Sequence, residues 1–112
     1  MAQAKDLNTV KRELAEFYDR IHKLYPVQKM LLYGSYAKGC MRQDSDIDVA
    51  VVVDLPDDTD KIEVTANLMR QARSIDVNIE PLCVLLSEYN NHEPASILGE
   101  IIKTSIEFET GI

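Results

Sequence analysis

The chain has 112 residues, of which 46% are hydrophobic and 28% are charged, a composition typical of one soluble globular domain and not of a disordered, collagen-like or membrane protein. Twelve Lys and Arg against nineteen Asp and Glu give a formal net charge of −7, which disfavours bulk nucleic-acid binding because duplex phosphates are normally neutralised by clustered cations. No apolar run approaches the roughly 20 residues of a membrane-spanning helix and no signal peptide is visible, so we expect a single domain over residues 1–112 in the cytosol, with Cys40 and Cys83 as free thiols.

The first half of the chain predicts one helix and two strands. Apolar residues recur every three or four positions over residues 6–25, which predicts a helix that Pro26 ends. The apolar run at 29–33, closed by Gly34, and the β-branched run at 47–53 predict strands.

The second half continues this alternation. Residues 59–74 predict a helix, 75–86 a strand, and the polar segment after it a loop. A last helix is predicted from Pro94, with an apolar stripe that reaches Ile106. We expect this stripe to pack either on the sheet of its own domain or on a partner protein. A homo-oligomer, formed with a second copy of the chain, is also possible. The pattern predicts a mixed α/β (α+β) domain, a small mixed sheet with helices packed on it.

Two aspartates stand at the start of the second predicted strand, with their side chains on the same face. Side chains alternate along a strand, so Asp46 and Asp48 point one way while Ile47 and Val49 point to the core. Carboxylates this close repel each other unless a cation neutralises them, and a hard divalent ion such as magnesium prefers oxygen ligands. The pair therefore predicts a metal site.

A third carboxylate is expected from the strand at 75–86. Side chains alternate along this strand, so Asp76, Asn78 and Glu80 share one of its faces. Asp76 is the preferred ligand because it stands at the entry of the strand, and Glu80 is the alternative.

The pair Gly34-Ser35 follows the first strand and predicts a phosphate site. Glycine takes backbone angles closed to other residues and admits a ligand closely, and N–H groups at the start of the segment 35–40 can receive phosphate oxygens. Alone, the pair is more often a plain turn. Tyr33 and Tyr36 flank it and can touch a ligand bound at this turn, although half-burial is the simpler expectation for each.

Taken together, these residues resemble a known family. Gly34-Ser35, ten residues, and then Asp46-Ile47-Asp48 is similar to the signature of the DNA polymerase β superfamily, and specifically of its minimal nucleotidyltransferase (MNT) branch. The segments "GSYAKG", "DSDIDVAVVV" and "IDVNIEP" resemble the turn, the strand and the third-carboxylate strand of that branch. The resemblance covers residues 27–83 and implies a polymerase β-like nucleotidyltransferase fold.

The resemblance also implies a reaction, in which a hydroxyl attacks the α-phosphate of a nucleoside triphosphate, such as ATP, and pyrophosphate leaves. Asp46, Asp48 and Asp76 would hold two magnesium ions, and Gly34 and Ser35 would grip the departing phosphates. Lys38 and Arg42 lie between the turn and the aspartates and can offset the charge of the triphosphate, with a solvated surface position as the alternative for each.

The short chain resembles the antitoxins of HEPN/MNT toxin–antitoxin pairs. This resemblance implies a HEPN-domain toxin as partner and transfer of AMP to a tyrosine of that toxin. Two hypotheses remain: an enzyme that modifies its partner, and a binding module that neutralises the partner by occlusion alone.

Overall fold

The computed structural model describes residues 6–39 and 46–108, and of Lys38 its backbone alone. Its helices are α1 Leu7–Ile21, α2 Ser35–Lys38, α3 Lys61–Arg73, α4 Leu86–Asn90 and α5 Ile97–Thr104. Its strands are β1 Val27–Tyr33, β2 Ile47–Val53, β3 Ile79–Leu85 and β4 Ile106–Phe108.

The four described strands form one mixed sheet in the order β3-β2-β1-β4. Strand β1 pairs antiparallel with both β2 and β4, whereas β2 and β3 are parallel and are joined through α3. A parallel pair needs such a crossover because its strands start at the same end of the sheet. The predicted small mixed sheet with packed helices is therefore confirmed.

Helices α1 and α3 cover one face of the sheet. Asp6 begins α1 by accepting a hydrogen bond from the Thr9 N–H at 2.7 Å, as an N-cap residue does. The main core lies between these helices and the sheet. Its fully enclosed side chains include Val10, Leu14, Phe17, Ile21, Met30, Val49, Val51 and Leu68.

Helix α1 ends at Ile21, so the predicted extension to residue 25 is wrong. The N–H groups of Leu24 and Tyr25 both donate to the carbonyl oxygen of Ile21 at 2.9 Å, which closes a turn before Pro26. Leu24 is consequently 55% exposed and does not join the apolar face of the helix.

Helices α4 and α5 pack on the opposite face. They cover the buried residues Leu31, Ala50, Val52 and Val84, so the C-terminal apolar stripe packs on its own sheet, as one of the two alternatives predicted.

Two details of the C-terminal prediction are wrong. The segment predicted as a polar loop contains α4, which begins where Glu88 accepts a hydrogen bond from the Leu85 N–H at 3.0 Å. Ile106 lies in β4 opposite Leu32 and not in the last helix, since α5 starts at Ile97 and ends at Thr104.

Candidate functional site

The aspartates lie at the start of β2, as predicted. Within β2, Ile47 and Val49 are buried in the main core, while Asp48 points to the opposite face and is half-buried. Asp46 immediately precedes the strand and is exposed. The alternation of the strand therefore presents the carboxylate of Asp48 on the face that α4 and α5 cover only in part.

The register of the sheet gives Asp48 two partners on this face. Tyr33 on β1 lies opposite Asp48, and Glu80 on β3 lies opposite it on the other side. Cross-strand neighbours on one face have Cβ atoms about 4.5–5.5 Å apart. Tyr33, Asp48 and Glu80 thus form a row across three strands, which we call the carboxylate row.

Burial and charge act together on this row. Partial burial raises the pKa of Asp48 above its ordinary value, and the neighbouring charges of Asp46 and Glu80 raise it further. The pKa of the Tyr33 phenol is also raised, first by burial and then by Asp48 and Glu80. Each shift has the sign expected for an acidic group that is partly buried beside other negative charges.

Gly34 brings the turn against Asp48. Its φ of 73° and ψ of −147° lie in a region that side-chain-bearing residues rarely adopt. A Cβ atom at this position would lie 2.4 Å from Oδ2 of Asp48. The turn therefore needs glycine both for its backbone angles and for the space that the carboxylate occupies.

The segment after Gly34 is the short helix α2, which begins at Ser35. Its first N–H groups belong to the same turn that meets Asp48, so the predicted phosphate cradle and the aspartates are adjacent. Tyr36 is buried in the main core and only Tyr33 keeps the expected half-burial.

The choice of the third carboxylate changes with the structure. Strand β3 begins at Ile79, four residues later than predicted, so the prediction that Asp76, Asn78 and Glu80 share a strand face is wrong. Asp76 lies in the turn after α3, where its Oδ1 accepts a hydrogen bond from the Asn78 N–H at 2.9 Å. Glu80 is the residue that the sheet places beside Asp48. The geometry therefore favours Glu80, the alternative named from the sequence, and a ligand role for Asp76 stays a prediction.

The predicted cations are not placed by the structure. Arg42 lies outside the described residues, and Lys38 is the last residue of α2, described by its backbone alone.

The donor set fits magnesium in its chemistry. Asp46, Asp48 and Glu80 offer only carboxylate oxygens, which hard divalent ions prefer. Burial, and then the charges of Asp46 and Glu80, raise the pKa of Asp48, and a cation would favour its charged form. As they stand, no three acidic, histidine or cysteine side chains within residues 6–39 and 46–108 are close enough to hold an ion. A magnesium ion held here would therefore need side-chain adjustment, or oxygens from a bound ligand, to complete its coordination.

Comparison with known protein families identifies the family to which this chain belongs. The family described as "Polymerase beta, Nucleotidyltransferase" matches residues 17–108, a span that includes Gly34, Asp46, Asp48 and Glu80. The chain belongs to the polymerase beta nucleotidyltransferase family. The resemblance seen in the sequence motifs is confirmed at this level, and the chain carries a nucleotidyltransferase-family domain.

A solved structure shares the fold of this nucleotidyltransferase domain. It is a crystal structure of a toxin-antitoxin with AMP-PNP, and the match has a TM-score of 0.57 with 19% sequence identity over 90% of this chain and 73% of that chain. No curated protein gives a significant sequence match. In the described residues, no helix has both the length and the apolar character needed to cross a membrane.

Proposed function

We propose that the protein transfers AMP from ATP to a hydroxyl group of a partner protein. The observation that carries the proposal is the register that sets Asp48 beside Glu80 and against the Gly34 turn. This arrangement joins an oxygen-donor cluster to a turn that admits phosphates, as nucleotidyl transfer requires. The fold shared with a toxin-antitoxin that was crystallised with AMP-PNP, an ATP analogue, supports ATP as the nucleotide.

Each residue of the site has a role in this proposal. Asp46, Asp48 and Glu80 would hold magnesium, with Asp76 as the other candidate for the third position. Two magnesium ions would neutralise the triphosphate and lower the pKa of the attacking hydroxyl. Gly34 and Ser35 would admit the phosphates to the carboxylate row. Lys38 and Arg42 are proposed as counter-charges for the triphosphate.

The reaction balances without a further reactant. The acceptor oxygen forms a bond to the α-phosphorus, the bond from that phosphorus to the bridging oxygen breaks, and pyrophosphate leaves. The proton of the hydroxyl passes to water or to a carboxylate of the row.

A tyrosine of a HEPN-domain toxin is the proposed acceptor, and the protein would then act as an antitoxin in the cytoplasm. The support is the family match together with the fold shared with a toxin-antitoxin.

Occlusion without catalysis is the second candidate function. It is favoured by the observation that, among the described residues, no three acidic, histidine or cysteine side chains are close enough together to hold a metal ion. In that case the protein would neutralise its partner by binding alone, with a vestigial nucleotide site.

Transfer of label from ATP separates these candidates. The wild type and an Asp46→Ala/Asp48→Ala variant would be incubated with magnesium, ATP labelled at the α-phosphate and soluble proteins of the source cell. We expect protein labelling by the wild type and none by the variant. A matched control carries Asp19→Ala and Asp58→Ala, which remove two exposed carboxylates away from the row, and should label normally.

The two functions also differ in cell protection. If the folded Asp46→Ala/Asp48→Ala variant still protected cells from the toxin, and the wild-type partner carried no added nucleotide mass, occlusion would replace transfer as the function.

A further inference from the structure

We propose that the acceptor protein docks on an apolar cleft beside β3, an inference that rests on the proposed transfer to a protein. The cleft has a volume of about 250 Å³ and lies between β3 and α5. We call it the β3-edge cleft. The apolar side chains that line it are Leu82, Val84, Ile97, Leu98 and Ile101.

The β3-edge cleft lies next to the carboxylate row along β3. Leu82 is the next residue after Glu80 on the same face of β3, and two residues of a strand span about 6.6 Å. Strand β3 is an edge of the described sheet, with β2 on its other side. A protein hydroxyl that approaches Asp48 from this edge therefore passes over Leu82, with its flanking residues beside the cleft.

Large apolar side chains are exposed at this edge. Ile97 is 83% exposed and Leu82 is 38% exposed. On the other side of β3, Ile62 is also 83% exposed and lines a second cleft of about 420 Å³, together with Met69 and Leu82. Apolar surface that is grouped in this way beside a reaction site is typical of a protein interface.

The backbone of β3 favours docking through side chains over addition of a strand. The Ile47 N–H donates a hydrogen bond to the Asn78 carbonyl oxygen. In this parallel register the backbone N–H and C=O groups of the odd-numbered residues of β3 therefore point away from β2, toward the open edge. Among these residues, the Ile79 N–H already donates to the Asp76 carbonyl oxygen and the Leu85 N–H to the Glu88 carboxylate. Pro81 has no N–H. A partner strand would find few free donors along this edge.

Charge narrows the chemistry of the acceptor. The chain has a formal charge of −7, and the carboxylate row stands at the end of the cleft. At the rim, Lys61 and Glu88 form an ion pair at 2.7 Å and offset each other. The acceptor segment that fits this surface carries an apolar side chain for the cleft and basic residues near its hydroxyl.

The test compares Ile97→Glu with Leu24→Glu. Both residues are exposed apolar side chains, but Leu24 lies in the turn after α1, at the opposite end of β1 from Tyr33. Label transfer from ATP to soluble proteins of the source cell, affinity for magnesium-ATP, and sedimentation would be measured for each. Ile97→Glu should lower protein labelling by about tenfold or more while ATP affinity stays within about twofold. Leu24→Glu and the conservative Ile97→Leu should match the wild type in both.

The other outcomes contradict the inference in distinguishable ways. Normal labelling by Ile97→Glu would overturn the docking site and leave the proposed function standing. Parallel loss of ATP affinity, or equal loss of labelling in Leu24→Glu, would also overturn it. A wild-type dimer that Ile97→Glu splits without a change in labelling would assign the surface to a second copy of the chain. An absence of labelled protein with the wild type would remove the proposed function itself, and the docking site with it.

Discussion

Gly34 and Asp48 are so close that a Cβ atom on the glycine would lie 2.4 Å from Oδ2 of the aspartate. Gly34→Val should therefore displace the Asp48 carboxylate and strain the turn, since a β-branched residue resists a φ of 73°. We expect magnesium-ATP affinity to fall by about tenfold or more, while circular dichroism still reports a folded protein.

Gly39→Ala is the matched control for this substitution. Gly39 also has a positive φ, of 74°, but a Cβ atom there would meet nothing within 4 Å. The control should cost about 1–2 kcal/mol of stability through backbone strain and leave ATP affinity unchanged. Normal binding by a folded Gly34→Val variant would disprove the proposed phosphate cradle.

Asp48→Asn should stabilise the protein when magnesium is absent. The pKa of Asp48 is raised by burial and by Asp46 and Glu80 above its ordinary value of 3.8. A raised carboxyl pKa means that this group stabilises the fold while protonated and that the benefit is lost as pH rises through the folded-state pKa. Near neutral pH the variant should melt a few degrees above the wild type in chelator, and the difference should shrink as pH falls through the folded-state pKa and be nearly gone below 3.8.

Asp58→Asn removes an exposed carboxylate and should leave the melting temperature unchanged at each pH. A wild type that melts above Asp48→Asn in chelator at neutral pH would show that the row is not under charge repulsion.

Glu80→Gln and Asp76→Asn test which residue completes the carboxylate set. Glu80 lies opposite Asp48 on the neighbouring strand, so its amide variant should lower magnesium-dependent transfer by roughly 100-fold. Asp76→Asn keeps an oxygen that can accept the Asn78 N–H and should retain most of the activity. The reverse ranking of the two variants would restore Asp76 as the ligand.

Glu88 should contribute stability that is lost in acid. Partial burial alone would raise its pKa, but the hydrogen bonds from Lys61 and from the Leu85 N–H outweigh it, and the pKa lies below its ordinary value of 4.5. A lowered carboxyl pKa gives stability that is present above 4.5 and disappears as pH falls through the folded-state value.

Thermal unfolding of Glu88→Gln against wild type checks this prediction. At neutral pH the variant should be less stable by about 0.5–1.5 kcal/mol, and the two proteins should converge in acid. Glu93→Gln, at an exposed position just before α5, is the control and should match the wild type throughout. If the difference in free energy of unfolding between Glu88→Gln and the wild type stayed constant with pH, that result would argue against the ion pair.

Strand β2 could be predicted to the residue because its β-branched run is continuously apolar from Val49 to Val53 and is closed by Asp54, and side chains alternate between the two faces of any strand. The position of Asp48 on the face opposite Val49 follows from the same alternation. Such signals are local, and a window of a few residues contains them.

The partner of Asp48 on β3 could not be chosen in this way. Apolar and polar residues alternate over 75–80, as they do in a strand. Asp76 nevertheless lies in a turn, and pairing with β2 begins only at Ile79. Register depends on how α3 carries the chain back across the sheet, which is a property of tertiary packing. The prediction of a helix at Ile106 is wrong for the same reason, since the strand that contains Ile106 pairs with β1, which is distant in the chain.

Pairing of β4 with β1 joins two strands that are far apart in the order of synthesis. Lys29 and Glu107, which form an ion pair across these two strands, are 78 positions apart in the chain. Translation adds about 5–20 residues per second, so the nascent chain contains Tyr33, Asp48 and Glu80 before it contains β4. The outer edge of β1 therefore has no partner strand until the last of the four described strands has been synthesised.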